Sequence, residues 1–339
     1  MVSSMKVNND GAIENEADRE YLEILKHVPP PASGLDIQAW RSMVDSLRPA
    51  TMEKERGGFT TVKEYDIQIP ARDGTIIEAR VYSQNREATK GNAMLVAFHG
   101  GGFCMGHHTD ESATYRRIVS SLNIVVVSVG YRLAPEHPFP TGVNDAWDAT
   151  KWLFKNASAV QVDTNEGFIV GGVSAGGNLA CVIAHINRDE GNPVEITGQF
   201  LSVPTILPPP VVPEKYRARY LSFKTNEGLG PPPYEMVILC MDALKPDIHS
   251  SLFVPFNNPN GHAGLPPTYF QVCGLDQLRD EALIYESVLR EENNISTRVD
   301  FYPGLPHHFW EFFPQLTAQS QKREEDTVKG IEWLLNSKP

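Results

Sequence analysis

Cysteine is scarce in this sequence: the four residues Cys104, Cys181, Cys240 and Cys273 lie far apart, with no C-x-x-C pair. That spacing excludes a recognisable zinc motif and a disulfide framework, so free thiols are expected. Equally missing is an apolar run approaching the roughly 18 residues that mark a membrane span. No dense cluster of lysine and arginine offsets the formal net charge of −12 over 339 residues. Nucleic acid and anionic lipid are therefore disfavoured as main partners, and small neutral or apolar ligands fit better. The opening stretch MVSSMKVNNDGAIENEADREY has no apolar core of the signal-peptide kind. This argues against secretion and makes a cytoplasmic protein with no stable membrane association the expectation. No H-x-x-H or H-E-x-x-H spacing occurs, so no metal is expected.

What remains is an ordinary globular composition, 41% hydrophobic and 21% charged, able to bury a large core. Residues 1 to about 16 read as disordered. Residues 17 to about 48 carry apolar side chains at helical intervals interrupted by Pro29-Pro30-Pro31, which predicts two short helices. From Thr61 the period changes to two, and the Arg72-Asp73-Gly74 turn between two alternating runs predicts an antiparallel hairpin. Segments 93–100 and 123–131 are continuous apolar runs, as strands buried on both faces of a parallel sheet should be. Further strands are expected at 167–173, 198–203, 268–273 and 296–302, with helical patterns between them. That order implies an α/β fold with a mostly parallel central sheet and helices on both faces. Residues 204 to about 250 break the rhythm with two proline triplets. They read either as a cap insertion over the carboxyl edge of the sheet or as a surface excursion with no part in binding. The expected division is a tail with cap helices at 1–57 and a catalytic domain at 58–339, carrying a cap insertion at about 204–250.

The chemistry is concentrated in a few short stretches. In FIVGGVSAGGNLA, residues 168–180, an apolar run turns through Gly172, Val173, Ser174, Ala175 and Gly176 into a helical pattern. G-x-S-x-G at a strand-to-helix turn is a nucleophile elbow, in which glycines on either side leave the serine hydroxyl exposed. Alone, the pentapeptide also fits an ordinary strand-to-helix turn. His99-Gly100-Gly101-Gly102-Phe103 follows a predicted strand, and consecutive glycines let backbone N–H groups point into open space. With the N–H of Ala175, such donors can hold the charge that develops on a carbonyl oxygen under attack. The other readings are a plain glycine-rich turn or a phosphate-cradling loop, but the sequence that follows, CMGHHTDE, carries no G-K-[ST]. A serine nucleophile needs a base and an acid to orient it. Asp276 lies just past one predicted strand, and His307 and His308 lie just past the next. The chain order serine, aspartate, histidine is that of an α/β-hydrolase. Asp280, four places further on, is expected inside a helix, capping it or pairing with Arg279.

With these residues in view, the chain resembles the hormone-sensitive-lipase-like family of α/β-hydrolases, which contains many carboxylesterases. The similarity is carried by HGGGF (residues 99–103), YRLAPEHPFP (131–140), GVSAGGNLA (172–180), GLDQLRDE (274–281) and YPGLPHHF (302–309). The resemblance implies an α/β-hydrolase fold, Ser174 as nucleophile, Asp276 as orienting acid and His307 as general base. It further implies Gly101, Gly102 and Ala175 as oxyanion-hole donors, a lid formed by the N-terminal helices, no cofactor, a small-molecule ester substrate, and room for a homodimer through the C-terminal edge. Phe103 and His308 are candidate substrate-binding residues. Three departures stand out. Val173 replaces the family's usual acidic residue, Gln277 its usual proline, and His308 its usual glycine after the base. His308 is expected either to line the pocket and bind a substrate oxygen or to point to solvent. Glu136 and its neighbouring arginine and prolines read as bracing the loop beneath the site, and His99 and Asp145 as structural. Amide, lactone or acetyl-ester hydrolysis shares the same motifs. A non-catalytic receptor, such as the plant gibberellin receptors that resemble this family, lacks the histidine this chain retains.

Overall fold

The computed structural model describes residues 6–7, 13–14, 16–28, 34–56, 59–85 and 91–337. Near the start, β1 (Lys6–Val7) and β2 (Ile13–Glu14) pair antiparallel. Apart from these residues and Glu16, the tail expected to be disordered lies outside the described residues, as does the Pro29-Pro30-Pro31 run. Helix α1 (Arg19–Leu25) is capped by the Asp18 carboxylate, which accepts from Glu20 and Tyr21 N–H. Helix α2 (Ile37–Arg56) is 20 residues long, not short. Its extension runs through Met52-Glu53-Lys54-Glu55-Arg56, residues of high intrinsic helix propensity that the spacing of apolar side chains does not register.

The central sheet has eight strands: β3 (Val62–Pro70), β4 (Ile76–Gln84), β5 (Ala93–Phe98), β6 (Ile124–Gly130), β7 (Phe168–Val173), β8 (Gly198–Ser202), β9 (Thr268–Cys273) and β10 (Thr297–Tyr302). Their spatial order is β10-β9-β8-β7-β5-β6-β4-β3. Strand β4 runs antiparallel to both neighbours, and every other pairing is parallel. The expected hairpin and all six core strands are present; β5 and β6 are buried almost throughout and so appear as unbroken apolar runs, whereas the edge strand β10 is mostly half-buried. In β5, Met94, Val96 and Phe98 enter one core cluster, while Ala93, Leu95 and Ala97 enter another on the opposite face.

Helix α3 (Ser112–Ser121) follows β5, α4 (Thr141–Lys155) follows β6, and α5 (Ala175–Asp189) follows β7. The insertion between β8 and β9 contains α6 (Ser222–Thr225) and α7 (Tyr234–Leu244). Then come α8 (Arg279–Ser287), α9 (Phe309–Phe312) and α10 (Thr317–Asn336). Helices α3 and α10 pack together on one face of the sheet, α4 and α5 on the other. Each crossover therefore returns the chain so that the loop after every parallel strand emerges at the same carboxyl edge. Among the described residues no helix is long and apolar enough to cross a membrane, and all four cysteines are buried free thiols.

Candidate active site

The turn between β7 and α5 holds Ser174 at φ 55°, ψ −115°, a backbone region that costs a non-glycine residue on the order of 1–3 kcal/mol. The surrounding glycines make the turn possible. A Cβ at Gly172 would lie 2.3 Å from the Gly176 carbonyl carbon, and one at Gly176 would lie 2.0 Å from the Phe98 carbonyl oxygen. The turn is pinned by Ser174 N–H donating to Ser202 O at 2.9 Å and Asn178 N–H donating to Ser174 O at 3.1 Å. Val173, where an acidic residue was expected from the family pattern, is buried against Val203, Cys273, Leu275 and Tyr302. An apolar environment explains why valine is tolerated there.

Ser174 Oγ lies 3.1 Å from His307 Nε2, and His307 Nδ1 lies 2.6 Å from Asp276 Oδ2. The three residues come from the ends of β7, β9 and β10, and the parallel register of β9 with β10 brings the acid loop beside the histidine loop. Both His307 and Asp276 are buried. The other carboxylate oxygen of Asp276 accepts from Leu278 N–H at 2.9 Å. With Nδ1 bound to a carboxylate, the imidazole presents Nε2 to the serine hydroxyl, an arrangement able to take a proton from Oγ and return it to a leaving group.

The loop after β5 lies opposite. Gly101 and Gly102 have φ of 111° and 60°, and a Cβ on Gly101 would meet Met105 O at 2.3 Å. Gly101 O accepts from Cys104 and Met105 N–H, while the N–H groups of Gly101 and Gly102 donate to no described backbone carbonyl. Both glycines and Ala175 line the same cavity as Ser174. Phe103 is buried, with its ring 5.9 Å from that of Phe253, and forms part of the cavity wall.

That cavity is about 390 Å³, within the range of small-molecule sites. Val44 of α2 and Met236, Val237, Cys240 and Met241 of α7 cover it. The insertion does more than cover: Asn226 Nδ2 donates to Gly274 O (3.1 Å) and Asp276 O (2.9 Å), and Ser222 Oγ donates to Gln277 O at 2.8 Å. Asp280 pairs with Arg279 at 2.7 Å, as expected, and also accepts from Leu221 and Ser222 N–H at 2.7 Å each. Residues 204–250 thus touch both the cavity and the acid loop. Glu136 is structural, as expected, and its partners lie on α2. Its carboxylate takes hydrogen bonds from Arg41 and Gln38 of α2, and Arg41 reaches on to Cys104 O and Ala134 O. It therefore anchors the N-terminal helix to the loops beneath it. Asp145 is structural, paired with Arg132 at 2.7 Å, and His99 stacks on Tyr131.

His308 points into the cavity wall, with its side chain 14% exposed. Its Nε2 lies 2.5 Å from Glu111 Oε1, a contact across 197 positions of sequence that no motif announces. Glu111 is almost fully buried; burial alone would raise its pKa, but the pairing with His308, together with Arg323 and Trp310, holds it down at about 2. Glu281, equally buried behind the acid loop, is pushed up to about 8 by burial, although Leu207 and Ile206 N–H groups donate to it. Neither glutamate was singled out from sequence.

The chain as a whole is similar to known proteins. The family model described as alpha/beta hydrolase fold matches residues 95–311. An AB hydrolase superfamily protein of Schizosaccharomyces pombe is 36% identical over 322 residues, 95% of this chain and 94% of that protein. The versiconal hemiacetal acetate esterase of Dothistroma septosporum is 31% identical across 80% of this chain and 82% of its own length. Among solved structures, vibralactone cyclase superposes with a TM-score of 0.89 at 30% identity, covering 99% of both chains.

Proposed function

The chain belongs to the hormone-sensitive-lipase-like family of α/β-hydrolases and is an ester hydrolase of the carboxylesterase class; we propose that it works through Ser174, His307 and Asp276 on small to medium neutral esters. The observation that carries this reading is the unbroken relay from Asp276 Oδ2 through His307 to Ser174 Oγ, with contacts of 2.6 and 3.1 Å. His307 takes the Ser174 proton as the hydroxyl attacks the ester carbonyl. The N–H groups of Gly101, Gly102 and Ala175 hold the oxyanion, and each such donor is worth about 10²–10³-fold in rate. The alcohol leaves with the proton held by His307, and water then repeats the sequence on the acyl-enzyme. We divide the chain accordingly into a tail with cap helices at 1–57 and a catalytic domain at 58–339 with its cap insertion at 204–250; the shared cover of the cavity by α2 and α7 supports that division.

A second reading, lactone chemistry, draws support from the vibralactone cyclase likeness. In it the ester attacked by Ser174 is part of a ring, so acyl and alcohol stay on one molecule until water releases the acyl-enzyme. Initial rates on p-nitrophenyl esters from acetate to decanoate, with Ser174→Ala alongside, test the main reading. Turnover by the wild type that disappears in the variant is the expected result. Equal turnover by the two proteins would remove Ser174 from the mechanism.

A further inference from the structure

We propose that His308, fixed by Glu111, forms a subsite in the cavity wall that receives a neutral hydroxyl group of the substrate, an alcohol or phenol a few bonds from the scissile ester. The proposal rests on the ester-hydrolase reading of the same cavity and assigns the substrate a second recognised group.

The geometry isolates one ring nitrogen for this purpose. Nε2 is committed to Glu111 at 2.5 Å, whereas Nδ1 makes no hydrogen bond to a described residue. The ring lines the cavity, with its centroid 6.3 Å from that of His307 and its plane turned by 83°. A group bound there therefore sits near the reacting carbonyl without competing for the base. The pairing is held against backbone strain: His308 has φ 52° and Glu111 φ 59°, both in the left-handed region that favours glycine. A glycine at 308 would relieve half of that strain, so the histidine is held where the backbone prefers no side chain. Glu111 in turn is fixed by Trp310 Nε1 at 3.3 Å and lies 3.9 Å from Arg323.

Charge decides what kind of oxygen is received. Asp110, Glu111 and Glu311 line the cavity with His308, and among the described residues no lysine or arginine does. A substrate carboxylate would meet like charge, whereas a hydroxyl carries none. A hydroxyl also both donates and accepts, so it pairs with Nδ1 whether or not that nitrogen holds a proton. The facing wall, with Phe223, Pro232, Met236 and Met241, suits an apolar remainder.

Matched esters test this: butyl acetate against 4-hydroxybutyl acetate for the alcohol side, and ethyl hexanoate against ethyl 3-hydroxyhexanoate for the acyl side, with monoethyl adipate as the carboxylate control. kcat/KM is measured by titration of released acid for wild type, His308→Gly and the double variant Glu111→Gln/His308→Gly. The double variant leaves no buried carboxylate unpaired and carries the comparison if the single variant does not fold. The wild type should favour the hydroxylated member of one pair, and both variants should lower that preference about tenfold, the size expected of one hydrogen bond. Preferences agreeing within about twofold across all three proteins would overturn the subsite. The same ratios are read as Kd by calorimetry in a Ser174→Ala background. Lack of turnover by the wild type would then count against the ester-hydrolase reading, while equal Kd ratios with and without His308 would count against the subsite.

Discussion

His307 and His308 are neighbours in sequence, each faces a buried carboxylate, and the two pairs are built the opposite way round. His307 gives Nδ1 to Asp276 and turns Nε2 to the serine; His308 gives Nε2 to Glu111 and leaves Nδ1 to the cavity. Asp276 reaches its histidine from the adjacent parallel strand, whereas Glu111 reaches across from the loop after β5. A histidine against a buried carboxylate thus stands in line with the Ser174 hydroxyl in one place and in the cavity wall in the other. What differs is which nitrogen is taken and what lies beyond the free one.

The comparison breaks most visibly on activity. Ser174→Ala or His307→Ala should each lower kcat by about 10⁶-fold with the circular dichroism spectrum unchanged, since members of a relay act as a unit. His308→Gly should cost no more than about 10²-fold, the scale of a lost positioning contact. The reverse order in one side-by-side assay would mean that the base is His308. Asp276→Asn should lower kcat by about 10⁴-fold, because the amide leaves the imidazole in the wrong tautomer while preserving shape. A loss under tenfold would show that the 2.6 Å contact to His307 has no part in the reaction.

Glu281 is the reference for both pairs: a buried carboxyl with neither a histidine nor an arginine against it. Burial raises its pKa from 4.5 to about 8. Between those values the folded protein keeps a proton that the unfolded chain has released, so stability falls as pH rises through that window, by up to about 1.4 kcal/mol per pH unit. Urea denaturation of wild type and Glu281→Gln at pH 5, 6.5 and 8 should show the wild type losing ground steadily to the variant. Parallel curves would mean that the carboxyl is ionised throughout, held by the Ile206 and Leu207 N–H groups.

Much of this was legible from sequence, and the boundary of legibility is physical. The inner strands were readable because burial on both faces makes apolar runs continuous, and the meeting of Ser174, His307 and Asp276 because each sits just past a strand within a short motif. The wall was not readable. Glu111 meets His308 only through the packing of loops 197 positions apart. Asn226 and Ser222 secure the acid loop from an insertion whose prolines announce irregular structure without saying what it touches. The length of α2 escaped for a related reason. Pro49 reads as a stop, and the turn beyond it, Met52 to Arg56, is written in propensity, where the search for apolar spacing is blind.

The smallest effect tests whether the second pair is ionic at all. Glu111 has an ordinary value of 4.5 that burial would raise, yet its histidine partner, Arg323 and Trp310 bring it to about 2. A carboxylate with a depressed folded pKa contributes stability that is complete above about pH 4.5 and is lost as pH falls toward 2. Wild type should therefore exceed Glu111→Gln in urea stability at pH 6, and the margin should shrink by up to about 1.4 kcal/mol per unit below pH 4.5. With His308→Gly in both proteins that shrinkage should itself diminish, because the group that does most to hold the charge is gone. A margin that ignores pH would show that nothing holds the Glu111 carboxyl below its ordinary value, and one that shrinks equally without the histidine would show that Arg323 and Trp310 hold it alone. In either case the two histidine–carboxylate pairs would be alike in contact but not in electrostatics.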